Sequence, residues 1–140
     1  MKGLIVKNNY QLLGLEELTL EYCRQRNLIV NRDFHHHGDS QINLIIQNGD
    51  ENEGIGVIIK DWKRAVGVDI IIRAEKIMKN SRVLSKMLIV TNLFSDPARS
   101  LAEKIRIFLL TRNDLIRILS SGIKSTTIED KPDSQNVMLY

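Results

Sequence analysis

The sequence holds one cysteine, Cys23, among its 140 residues. That excludes an internal disulfide and a cysteine-rich zinc knuckle. A lone thiol of this kind reads as a small buried hydrophobe in a reducing compartment. Aromatic residues are 5% of the chain, so the core must be aliphatic, built from the abundant Ile, Leu and Val. No apolar run approaches the roughly 18 residues of a membrane-spanning helix. The opening apolar stretch is stopped by Lys7 and no small-residue cleavage pattern follows, so it does not read as a signal peptide. These absences point to a cytoplasmic protein with no membrane partner. Internal repeats and low-complexity core segments are also missing.

What is present is globular. Hydrophobic residues make up 43% and charged residues 26%, ordinary values for a folded soluble domain. The length suits one domain of about 100–200 residues, large enough to form a core without a disulfide or metal. The formal charge is +3 and the sequence pI about 9.1. A mildly basic chain is compatible with a nucleic-acid partner, but the field depends on how the cations cluster.

Apolar periodicity predicts the elements. Leu15, Leu18 and Tyr22 recur at helical spacing within residues 12–26, with acidic residues early and arginines late, as the helix dipole favours. Residues 28–30, 42–46 and 56–60 read as strands, the last two as an antiparallel pair about a polar, glycine-containing loop. Residues 66–79 read as a helix with Val66, Ile70, Ala74 and Ile77 on one stripe. The uninterrupted run Met87-Leu88-Ile89-Val90 reads as a strand buried on both faces. Ser95-Asp96-Pro97 is a helix start, with a capping side chain and then proline. Residues 105–109 read as the next strand. Thr111 then caps a last helix over 113–119, with Leu110 and Leu115 placed to close a hydrophobic staple. The order α-β-β-β-α-β-α-β-α predicts a mixed sheet with helices on both faces. A domain is expected over residues 1–122, followed by a flexible C-terminal tail over 123–140.

The most specific phrase is Ile58-Ile59-Lys60-Asp61-Trp62-Lys63-Arg64-Ala65-Val66-Gly67-Val68. With Met87-Leu88-Ile89-Val90-Thr91-Asn92-Leu93-Phe94-Ser95-Asp96-Pro97-Ala98 and the stretch from Glu103 to Thr111, it resembles the Mrr-like branch of the PD-(D/E)xK nucleases, over roughly residues 12–119. The resemblance implies an α/β restriction-endonuclease-like fold. In active members an aspartate on one strand and an acid two residues before the lysine hold magnesium, which prefers oxygen ligands, and the metal activates water. Enzymes of this fold commonly pair as dimers, which implies a homodimer here.

This sequence departs from that pattern at both metal positions. Asn43 stands where the family's aspartate belongs, and Ile58 where its second acid belongs; Lys60 is retained. The expectation is therefore a DNA-binding protein of nuclease fold, in repair, recombination or restriction, with cleavage lost or much reduced and no cofactor. The first alternative is an active endonuclease using magnesium and relocated acids: Asp39 if a bulge shifts the register, or Glu17, Glu21, Asp69 or Glu75 from a helix. The second is a non-catalytic subunit that binds a protein partner, docking through the apolar residues 137–140.

The expected DNA contacts are Lys60, Lys63 and Arg64, with Trp62 packing on sugar or base, and His37 in a polar loop touching phosphate. Against this, Lys60 could simply reach water at a strand end, and Trp62 could be core. Asp61 is expected to pair with Lys63 or Arg64, or to cap the following helix. The run His35-His36-His37 could pair His35 and His37 with Asp39 on one face for zinc. Adjacent side chains of an extended strand diverge, however, so no metal site is assigned. Arg73, Lys76, Lys79 and Arg82 give the middle helix a basic side, which reads as a solvated face.

Overall fold

The computed structural model describes residues 9–32, 42–47 and 54–121. A single turn of 3₁₀ helix, Tyr10–Leu12, leads into α1 (Leu15–Gln25). Then come β1 (Ile29–Asn31), β2 (Leu44–Gln47), β3 (Gly54–Lys60), α2 (Val68–Lys79), β4 (Leu84–Thr91), α3 (Asp96–Ile105), β5 (Phe108–Thr111) and α4 (Arg112–Ser121). The predicted element order is present. His35, His36, His37, Asp39 and the residues from 122 onward lie outside the described residues, as do the tail boundary and the zinc arrangement.

The five strands form one sheet in chain order, β1-β2-β3-β4-β5. β1 pairs with β2 and β2 with β3 antiparallel. β3 pairs with β4 and β4 with β5 parallel. β3 is thus where the sheet changes sense. Strand alternation divides the apolar side chains into two layers. On one face Leu44, Ile46, Ile55, Val57, Leu88, Val90 and Leu110 pack with Leu15, Leu18, Tyr22 and Cys23 of α1 and Leu115, Ile118 and Leu119 of α4. On the other, Ile45, Ile58, Met87, Ile89 and Leu109 pack with Ile70, Ile71 and Ala74 of α2 and Ala98 and Ala102 of α3. Helices therefore cover both faces, as the pattern predicts, and β3 and β4 are buried twice over.

Local chemistry sets the element ends. Ser95 accepts the Ala98 amide at 3.1 Å, with proline in the first turn of α3. Thr111 and Asp114 form a reciprocal cap on α4: the Thr111 amide donates to Asp114 Oδ2 at 2.9 Å, and the Asp114 amide to Thr111 Oγ1 at 3.1 Å. Leu110 and Leu115 both join the same buried layer, as the staple requires.

Several boundaries differ from the sequence expectation, β3 beginning at Gly54 and β4 at Leu84 among them, and three have a clear local cause. α3 continues to Ile105, where Arg106 adopts a left-handed φ of 63° and the Ile107 amide closes onto the Ala102 carbonyl at 2.9 Å. The last strand therefore runs over 108–111 rather than 105–109. The alternation Ile105-Arg106-Ile107 imitated a strand, whereas Ile105 and Ile107 in fact join the α3-side layer from a helix end and a turn. α2 starts at Val68, because Val66 forms an isolated parallel bridge with Phe94 instead of a helical turn. Ile42 and Asn43 precede β2 rather than belonging to it.

Candidate functional site

The parallel strands end together: Lys60 is in register with Thr91, and Thr91 with Thr111. In open α/β sheets, ligand sites favour this carboxyl edge. The loops after β3 and β4 are tied to each other there. The Val66 amide donates to the Leu93 carbonyl at 2.8 Å, and the Ser95 amide to the Val66 carbonyl at 3.0 Å. The buried Thr91 hydroxyl donates to the Lys60 carbonyl at 2.6 Å. The Asn92 side-chain amide donates to Asp61 Oδ1 at 2.9 Å and to the Trp62 carbonyl at 2.8 Å. Residues 60–66 are therefore fixed by the ends of the neighbouring strand. Thr91 and Asn92 were not singled out by the sequence reading. Their signal was available: two hydrogen-bonding residues directly following the buried apolar run Met87-Leu88-Ile89-Val90.

Lys60, Trp62, Lys63 and Arg64 lie on this edge. Trp62 is half-buried and packs against the α2–α3 layer. Lys60 Nζ sits 5.3 Å from the centre of its indole, and the Arg64 guanidinium carbon 4.1 Å, both within cation–π range. Neither Lys60, Lys63 nor Arg64 is in an ion pair with any described residue. Asp61 does not pair with Lys63 or Arg64; its carboxylate takes the Asn92 amide instead. The side chain is exposed, and the nearer partner is a neutral donor already held by the Trp62 carbonyl.

Asn43 sits beside β3. Its amide donates to the Val57 carbonyl, and its Oδ1 accepts the Ile59 amide, both at 2.8 Å. Asn43 thus extends the β2–β3 pairing beyond the first residue of β2. Ile58, between those two bonds, is 1% exposed and packs among Ile42, Ile45, Val66, Ile70 and Ile71.

The Mrr restriction endonuclease family model matches residues 8–119, most of the chain. The chain belongs to this family. Among solved structures, it is similar to the MspJI restriction endonuclease in complex with a 27-mer oligonucleotide, at 12% identity and a TM-score of 0.49. That match covers 89% of this chain and 34% of the other, so the chain spans about a third of that enzyme's length. No curated protein matches.

The Mrr-like family implies magnesium held by oxygen ligands. The residues at the two positions that the resemblance makes metal ligands do not fit that ion. Ile58 offers no donor atom and is enclosed by hydrocarbon. Asn43 offers one neutral carbonyl oxygen, which is engaged with a backbone amide. The helical acids named as relocated candidates are placed as follows. Glu17 accepts the Gly14 amide at 2.8 Å as part of the α1 cap. Glu21 pairs with Arg24, whose hydrogen bond holds its carboxyl below the usual carboxylate range. Glu75 pairs with Lys79 at 3.4 Å, and Asp69 lies in the exposed first turn of α2. None of these acids forms an ion pair with Lys60. Among the described residues no group of three His, Cys, Asp or Glu side chains is arranged to hold a metal. Likewise, none of their helices is long and apolar enough to cross a membrane.

Proposed function

We propose that this restriction-endonuclease-like domain binds DNA and that its metal-dependent phosphodiester cleavage is lost or much reduced. The observation that carries the proposal is the contrast between two positions two residues apart on β3. Lys60 keeps an ammonium at the carboxyl edge of the sheet with no carboxylate paired to it. Ile58, where an acid would anchor the metal, is part of the apolar core. A cationic edge made by Lys60, Lys63 and Arg64 offers three phosphate contacts without a place to activate water. Phosphate contacts supply affinity and register, and they need no metal.

The reading is tested by titrating labelled duplex DNA at several salt concentrations. The expected log–log slope is negative, and removing one of the three cations makes it shallower by about 0.9. A Lys60→Met, Lys63→Met, Arg64→Met protein with the affinity and salt slope of the unmodified chain would overturn the assignment of this edge. Absence of salt-dependent DNA affinity in the unmodified chain would overturn the function itself.

A further inference from the structure

We propose that Trp62 is a positioning residue, whose indole gathers the Lys60 ammonium and the Arg64 guanidinium into one phosphate-binding dication rather than stacking on a base. The inference rests on the DNA-binding reading for its biological use, but the juxtaposition itself does not depend on it. Both cations approach the same ring, at 5.3 and 4.1 Å from its centre. They are therefore less than about 10 Å apart, inside one screening length at moderate salt, and they repel. No described carboxylate is paired with either to offset that repulsion. The indole, whose π faces are negative, is the one group shown in contact with both, and it attracts each.

The backbone that carries the ring is held as well. Asn92 donates to the Trp62 carbonyl at 2.8 Å and to Asp61 at 2.9 Å, and the ring is half-buried against the α2–α3 layer. A held ring with two cations against it is suited to keeping charge in place. It is poorly suited to receiving a base, because a base would have to displace the arginine at 4.1 Å. The ligand this arrangement takes is a phosphate of the DNA backbone, for which a base is not required.

Two measurements on the full chain test the proposal. In the first, without DNA, the side-chain protons next to the Lys60 and Arg64 charges are followed by NMR. The expected result is ring-current displacement in the unmodified chain and its loss in Trp62→Leu, whose backbone amide spectrum otherwise keeps its folded dispersion. Unshifted protons in the unmodified chain overturn the proposal whatever happens with DNA. In the second, duplex affinity is compared in Trp62→Phe, Trp62→Leu and Trp62→Leu combined with Lys60→Met and Arg64→Met. Cation–π strengths predict a weakening of about two- to fivefold per cation in Trp62→Leu, with partial retention in Trp62→Phe. The effect of Trp62→Leu should vanish once both cations are gone, as coupling through them requires. An equal loss in that background would make Trp62 a direct DNA contact and overturn the positioning role. If the unmodified chain binds no DNA, the functional reading fails, and the NMR result alone decides the cation–indole claim.

Discussion

Introducing an acid at position 58 should damage the protein without creating a metal site. Ile58 is 1% exposed and surrounded by aliphatic side chains from β2, α2 and the loop before it. Replacing it in Ile58→Glu forfeits about 1.5–3 kcal/mol of apolar burial. An unpartnered buried carboxyl has its pKa raised by up to about 3–5 units, each equivalent to about 1.4 kcal/mol. At about pH 7 the protonation needed to bury it neutral costs about 4 kcal/mol. The total, about 5–7 kcal/mol, is a large share of the roughly 5–15 kcal/mol that stabilises a domain. The sign with pH is fixed. The introduced carboxyl has a raised folded pKa, so its penalty is least below about pH 4 and grows as the unfolded chain ionises above that. Urea unfolding followed by circular dichroism, at two pH values and with and without magnesium, measures this. The expected result is a large loss that shrinks toward acid and does not respond to magnesium. A variant with the unmodified midpoint, further stabilised by magnesium, would refute the reasoning, because position 58 would then face a cleft.

Other substitutions follow from the same packing. Asn43→Ala removes the 2.8 Å acceptor of the Ile59 amide at an exposed site that water can reach and should cost about 0.5–1.5 kcal/mol in urea unfolding, whereas Asn43→Asp keeps the acceptor and should cost less. A side chain on Gly56 would place its Cβ 2.7 Å from Met87 Sδ and 3.1 Å from Leu84 Cδ1. Gly56→Ala should therefore lower stability by about 1–3 kcal/mol, with part recovered by a smaller residue at 87. Burial pushes the Cys23 thiol up to about 12. The folded chain thus keeps its proton where the unfolded chain loses it, so this contribution is intact below about pH 8.5. It falls by about 1.4 kcal/mol per pH unit above that, and Cys23→Ala should flatten the alkaline limb of the stability profile. The native thiol should also resist alkylation until the protein unfolds.

The fold was largely legible because two periodicities are clean in this sequence. Leu15, Leu18 and Tyr22 repeat at helical spacing, and each is buried. Val57 and Ile58 face opposite layers, as adjacent strand residues must. Capping signals at Ser95 and Thr111 were local chemistry, and both are realised. The misread segment, Ile105-Arg106-Ile107, fails for a physical reason. A helix end followed by a left-handed residue can present two apolar side chains to one core with the spacing of a strand. The candidate site's geometry was legible in part. Lys60, Trp62 and Arg64 adjoin in sequence and meet at one edge. The roles of Thr91 and Asn92 depend on parallel pairing across 30 intervening residues, which strand propensity does not encode. Nor could spacing reveal that Asn43 would take up the Ile59 amide, since that follows from β2 beginning only at the next residue, Leu44.

The proposed loss of cleavage is tested most directly by incubating the purified chain with supercoiled, linear and branched DNA in magnesium or manganese and scoring strand breaks. The account predicts retention of DNA with no breaks above those in a matched protein-free control. Metal-dependent breaks that disappear in Lys60→Ala would contradict it.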